Sequence, residues 1–124
     1  SEEELAIFER VKAILHRKTK IPCTGCGYCM PCPSGVDIPG CFSVYNDKYL
    51  LEGKRDWWKY MQTLGMFSKK PSFASLCIEC GKCERHCPQN IEIRKELKGV
   101  RKEMEGILFK PIVFVARRLL RVGK

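Results

Sequence analysis

The chain has 124 residues, nine of them cysteine, and 23 Lys and Arg against 14 Asp and Glu give a formal charge of +9. That length holds one small domain with a modest core and excludes a complete eight-stranded α/β barrel, which takes roughly 250 residues. No run of about 18 uncharged apolar residues is present to span a bilayer, and no signal peptide with an apolar segment follows Ser1. Because the chain begins with Ser rather than Met, it is expected to be a processed product or an excised piece of something longer.

Ser1 to about Arg17 is predicted helical. Ser1 and Glu4 form a capping-box pattern, and the acidic first turn suits the helix dipole, as do the basic residues His16, Arg17 and Lys18 at the other end. Leu5, Phe8, Val11 and Leu15 form an apolar stripe that Ile7 and Ile14 widen. Pro22 ends any helix and opens a first cysteine run, Cys23-x2-Cys26-x2-Cys29-x2-Cys32-Pro33. Asp37-Ile38-Pro39 resembles a helix start. A helix from about Pro39 to Glu52 would bury Phe42, Tyr45 and Tyr49 and stop at Gly53. The next, from Asp56 to Leu64, carries Trp57, Tyr60, Met61 and Leu64 and ends at Gly65. Trp57 and Trp58 are adjacent and cannot share a face, so one is expected in the core and the other as a partly exposed lid. The aromatics between the runs are read as core rather than cofactor contacts. Ser72 is expected to cap a short helix leading into the second run, Cys77-x2-Cys80-x2-Cys83-x3-Cys87-Pro88. Ile93, Leu97, Val100 and Met104 then mark a helix that Pro111 interrupts. The tail is apolar over Ile112–Val115 and basic at Arg117, Arg118 and Arg121. It is read as a terminal helix packed on this domain or another one, not as an interfacial membrane anchor, because Val113 and Phe114 do not share one strong face.

Spacing says more than number. The second run is the bacterial ferredoxin pattern for a [4Fe–4S] cluster, in which the cysteine before Pro serves the other cluster of a pair. The first run is one residue shorter before its Cys-Pro. The two still repeat each other: C-T-G-C-G-Y-C against C-I-E-C-G-K-C, then C-P-S-G-V-D-I against C-P-Q-N-I-E-I, at offsets of 54 and then 55 residues. Such a repeat suggests two halves related by a pseudo-two-fold axis, and that symmetry makes crossed ligation natural. Cys23, Cys26 and Cys29 would share one cluster with Cys87, and Cys77, Cys80 and Cys83 would share the other with Cys32. Paired Cys-x2-Cys motifs also build zinc sites. Zinc does not need three cysteines at consecutive x2 spacings followed by Cys-Pro, twice. Disulfides would need an oxidising compartment and would leave one of nine thiols unpaired. Cys41 stands outside both runs and is read as a buried or semi-buried free thiol, with a replacement ligand for Cys32 as its alternative role.

Gly25, Gly27 and Gly81 lie inside the loops, where small residues let backbone N–H groups approach sulfur. Ile21, Val36, Ile38, Ile78, Ile91 and Ile93 are expected to form the apolar shell. Tyr28 and Lys82 occupy equivalent repeat positions and could give the clusters unequal potentials. No strand-like alternation with hairpin turns flanks either run. The predicted fold is all-α: a helical ferredoxin-like dicluster domain in which short helices clamp two cysteine loops. Two oxidised clusters with their thiolates would lower the formal charge to about +5, so part of the basic excess offsets cluster charge.

The stretch I-P-C-T-G-C-G-Y-C-M-P-C-P-S-G-V-D-I-P-G-C-F, with V-Y-N and C-I-E-C-G-K-C-E-R-H-C-P-Q-N-I-E-I after it, resembles the C-terminal dicluster domain of iron–sulfur members of the aldo/keto reductase family. The leading E-E-E-L-A-I-F-E-R-V resembles the helix that enters that module, and the resemblance covers about residues 2–100. The short gap before Cys32 agrees with this module. The resemblance implies a reductase barrel upstream of Ser1. None of that barrel's catalytic Asp, Tyr, Lys or His residues can be placed here. The segment would carry electron transfer only, for a parent oxidoreductase, in three parts: an entering helix (1–20), the iron–sulfur domain (21–104) and an apolar and basic tail (105–124). Its partners would be that barrel and an outside redox protein or small electron donor or acceptor, in the cytoplasm. A stand-alone ferredoxin and a zinc-stabilised interaction module are the competing functions. The dispersed basic residues carry no nucleic-acid reading motif, and neither nucleic acid nor membrane is an expected partner.

Overall fold

A computed structural model describes residues 1–52 and 56–122; the expected helix stop at Gly53 lies outside them. Among the described residues, six α-helices carry the fold: α1 (Glu2–Lys18), α2 (Ile38–Leu51), α3 (Asp56–Met61), α4 (Lys82–His86), α5 (Ile93–Met104) and α6 (Phe109–Leu119). A wider π-turn, Gln62–Met66, continues α3 past its expected end, and a 3-10 turn spans Ala74–Leu76. No strand occurs among the described residues, as the all-α reading requires.

The repeat in the sequence is a repeat in the core. Each cysteine loop runs into a helix, α2 after the first and α5 after the second. Ile38, Phe42 and Tyr45 are buried on α2; at the offset of 55, Ile93, Leu97 and Val100 are buried on α5. The two helices pack on each other through these faces. Val36 and Ile91, just before them, are also buried. Asp37 caps α2 by accepting the Gly40 N–H at 3.0 Å. Polar contacts at Glu103 of α5 close the far end: Tyr45 and Tyr49 donate to it at 3.0 and 2.5 Å, and Lys48 at 3.2 Å.

α1 forms for local reasons. Ser1 Oγ accepts the Glu4 N–H at 3.3 Å in a capping box, three glutamates sit at the positive end and His16, Arg17 and Lys18 at the negative end. It buries none of its residues. Leu5 and Phe8 are each 67% exposed, so the stripe expected from the spacing exists but faces solvent. α1 meets the body at its C-terminal end. Asn46 of α2 clasps the Ile21 peptide from both sides, accepting its N–H at 2.9 Å and donating to its carbonyl at 2.8 Å.

The remaining core is aromatic. Tyr60, Phe73 and Phe109 form a triangle with centroids 5.0–5.7 Å apart. Tyr60 Oη donates to Glu105 at 2.6 Å and accepts the Ala74 N–H at 2.8 Å. The Phe73 ring lies against Gly65, where a Cβ would come within 2.4 Å of it.

Four expectations change. Trp57 and Trp58 are 42% and 40% exposed and stack edge to face on each other at 5.8 Å, so neither is core. Ser72 caps nothing: its hydroxyl donates to the Leu64 carbonyl at 3.0 Å, and Phe73 precedes the 3-10 turn. Ile78 is 68% exposed, because the position after Cys77 turns outward in the loop; the other five shell residues are buried. Pro111 interrupts no helix. The break comes between Met104 and Phe109, and Pro111 sits in the first turn of α6, where the N–H it lacks has no intrahelical acceptor. α6 docks on the domain through buried Phe109 and Val113.

Candidate metal centre

The two cysteine loops share a backbone design. Left-handed residues stand at equivalent places: Gly25 (φ 71°) and Glu79 (58°), Gly27 (78°) and Gly81 (75°), Gly35 (83°) and Asn90 (53°). The Gly35 N–H donates to the Cys32 carbonyl at 3.0 Å, and the Asn90 N–H to the Cys87 carbonyl at 3.2 Å. A Cβ on Gly27 would meet no atom within 4 Å. The dihedral rather than crowding calls for glycine there.

Six of the eight run cysteines are half-buried; Cys26 and Cys80 are exposed. Cys23, Cys26, Cys29 and Cys87 line one cavity, backed by Ile38, Phe42, Ile91 and Ile93. One run therefore supplies three thiols and the other run the fourth. The runs also approach each other. Burial pushes the Cys29 thiol up to about 11, and repulsion from Cys23, Cys83 and Cys26 adds to it. Burial likewise raises Cys83, with Glu84 contributing. Cys77 Sγ accepts the Glu79 N–H at 3.4 Å and lines a second small cavity with Leu97 and Arg101. Cys32 is different. Burial opposes its thiolate too, but the Ser34 hydroxyl at 3.2 Å and the N–H groups of Val36, Ser34 and Gly35 outweigh that and hold the thiol below its ordinary value. Cys41 lines neither cavity. It is fully buried on α2, its thiol donates to the Ser72 carbonyl at 3.8 Å, and burial raises its pKa strongly.

This donor set fits a cluster better than a single ion. Thiolates on one tetrahedral zinc lie about 3.8 Å apart, given Zn–S bonds of about 2.3 Å. Among the described residues no three His, Cys, Asp or Glu side chains converge closely enough to hold one metal ion. The four thiols of the first cavity instead line a space walled on one side by Ile38, Phe42, Ile91 and Ile93, an apolar setting that suits a [4Fe–4S] core.

Three contributors escape the sequence reading: Ser34 at Cys32, Asn46 of α2 holding the Ile21 peptide ahead of Cys23, and Arg94, whose guanidinium grips Glu84 beside Cys83. Ser34 was detectable as a hydroxyl two residues after a ligand candidate; the other two are long-range contacts without a local signal.

A family model for the 4Fe-4S dicluster domain matches residues 22–92, more than half of the chain. No curated protein and no solved structure matches it. With both cysteine runs inside the matched span and folded as paired loops, the chain belongs to the 4Fe-4S dicluster domain family, a ferredoxin-like iron–sulfur protein of electron transfer with two [4Fe–4S] clusters.

Proposed function

We propose that the chain is the electron-transfer module of a larger oxidoreductase of the aldo/keto reductase type, in which Cys23, Cys26, Cys29 and Cys87 hold one cluster and Cys77, Cys80, Cys83 and Cys32 the other. The observation that carries the ligand sets is Cys87, which belongs to the second run yet lines the cavity of the first. The pseudo-two-fold repeat then gives Cys32 the reciprocal place, and the donors around its sulfur suit a ligating thiolate. Bound clusters supply one-electron storage and transfer. The chain's own residues exclude water on the Ile38–Phe42–Ile93 side and present N–H groups to the Cys77 and Cys32 sulfurs.

The barrel partner finds support at α1. Phe8, Val11, Leu15 and Pro22 line an apolar groove that ends on Cys23 and Thr24. A barrel laid along it would cover the exposed stripe and adjoin the first site. A stand-alone carrier would leave that stripe in water. In this reading residues 21–104 are the iron–sulfur unit, 1–20 the entering helix and 105–124 the tail. An outside redox protein or small carrier exchanges electrons with it in the cytoplasm, where thiol ligands stay reduced.

Iron and acid-labile sulfide analysis with EPR of the reduced protein tests the centre. About eight iron and eight sulfide per chain, with coupled signals, are expected; a colourless zinc protein overturns it. A barrel encoded upstream of Ser1 in the parent reading frame is expected, and a reading frame without one reduces the function to a free carrier.

A further inference from the structure

Two segments remote in sequence meet at α6. Arg117 donates to the carbonyls of Gly65, of Ser68 at 2.7 Å and of Lys69 at 3.0 Å, which seats the Phe67–Lys70 turn against the helix. Residues 64–76 and 106–122 contain no carboxylate. Lys69, Lys70, Lys110, Arg118 and Arg121 are all exposed there. So are large apolar side chains: Phe67 at 63%, Phe114 at 67% and Leu119 at 78%.

Spacing orders these residues. With 3.6 residues per turn, Phe109 and Val113 make the inward face. Ile112, Val115 and Leu119 then form an apolar row on one outward flank, and Lys110, Phe114 and Arg118 a basic and aromatic row on the other, with Arg121 just past the helix end. Arg117 lies on the basic side, so the Phe67–Lys70 turn extends that row. The outward half of α6 thus joins apolar side chains to a cationic border with no anion among them.

Against the sequence expectation of no membrane contact, and because Val113 turns inward while its neighbours stay exposed, we propose that this face docks on the surface of an anionic lipid bilayer, with the apolar row and the Phe67 and Phe114 rings in the interfacial layer and the cations at the headgroups. The charge is complementary to acidic lipid, and Lys and Arg stems reach along apolar surface to headgroups. Docking on a protein fits less well, because Lys69, Lys70 and Lys110 stand among the exposed residues of this face and lysine is depleted from such interfaces. Binding a nucleic acid would leave Ile112, Val115 and Leu119 without a role. None of the described helices is long and apolar enough to cross the bilayer, so the chain would lie on it.

The test is flotation of the iron–sulfur protein with vesicles of phosphatidylglycerol mixed with phosphatidylcholine, against phosphatidylcholine alone. The wild type is expected to float with the anionic vesicles only and to be released by salt. Lys69→Glu with Lys70→Glu, and separately Phe114→Ser with Leu119→Ser, should each weaken binding by about tenfold or more, with cluster absorbance unchanged. These substitutions lie on exposed positions, so the absorbance separates lost docking from lost folding. Absence of flotation by the wild type overturns the proposal. Loss on charge reversal with no loss in the apolar pair also overturns it, in favour of simple adsorption to polyanions. A wild-type dimer that Leu119→Ser dissociates, without vesicle binding, would assign the face to a second copy of the chain.

Discussion

The two cysteine loops share their left-handed turns but differ in their surroundings and in the stretch before Cys-Pro, where the second carries α4 and the first, one residue shorter, carries no helix. Between Pro22 and Gly35 there is no charged residue; between Leu76 and Asn90 lie Glu79, Lys82, Glu84 and Arg85. The first loop opens onto the apolar groove under α1. The second is gripped from α5. Arg94 meets Glu84 through Nε at 3.1 Å, Nη2 at 3.0 Å and its own backbone N–H at 3.0 Å, and Lys98 meets Glu79 at 2.5 Å. Both glutamates are held below the usual carboxylate range, Glu79 by Lys98 and Glu84 by Arg94. The spacing of the first three cysteines and the left-handed turns are what the two sites share. The residues between and behind the cysteines are free to differ, so one cage design can be set in two electrostatic environments.

Replacing Cys87 or Cys32, the proposed fourth ligands, should produce the largest effect. Cys87→Ser is expected to empty the first site and Cys32→Ser the second, each lowering iron from about eight to about four per chain, with different EPR signals remaining. Loss of the same signal in both variants would break the crossed assignment. Next comes the charge contrast. Arg94→Gln removes a cation and leaves the Glu84 carboxylate unpaired, so redox titration should show the second site harder to reduce and the first unchanged. Lys82→Tyr, which copies Tyr28 into the second loop, should shift the gap between the two potentials; an unchanged gap would remove both side chains as its cause. Smaller, and equal on the two sides, are the glycine substitutions. Gly27→Ala and Gly81→Ala should each cost about 1 kcal/mol in thermal unfolding, the penalty for a left-handed Cβ. Gly25→Asn should be milder, since Glu79 occupies the matching conformation.

The least effect is expected where the halves join. Burial would raise Glu103, but hydrogen bonds from Tyr49, Lys48 and Tyr45 more than reverse that and lower it. A carboxylate lowered in the folded state stabilises it above the ordinary value near 4.3, and the contribution disappears as pH falls through the folded value. Glu103→Gln should therefore flatten part of the acid limb of stability against pH while leaving neutral cluster content unchanged.

The parts of this molecule that were legible in sequence are those with local causes. Ser1 and Glu4 announce α1, Asp37 and Pro39 announce α2, and Ile93, Leu97, Val100 and Met104 give the buried face of α5. The cysteine periodicity outlines both loops, and its pairing with Cys87 in the first cavity follows from the repeat. What escaped depends on partners distant in the chain. Apolar spacing marks the stripe on α1 but cannot say that nothing in this chain covers it. Trp57 and Trp58 stack on each other at the surface, while Tyr60 and Phe73 pair in the core. Pro111 gives no clue to its place, because a proline tolerated in a first turn looks the same in sequence as one that breaks a helix. Arg117 gave no sign at all, since its acceptors are backbone carbonyls.

That last contact sets how the molecule answers to ionic strength. Arg117 grips neutral carbonyls at short range, so added salt, which weakens exposed pairs such as Lys18–Glu52, should leave it in place. A lysine at 117 would keep the charge but lose the planar fork that reaches separate acceptors. The grip depends on shape more than on charge. Rising salt would strip α6 from an acidic surface well before it strips α6 from the domain, so the chain would come off such a surface folded.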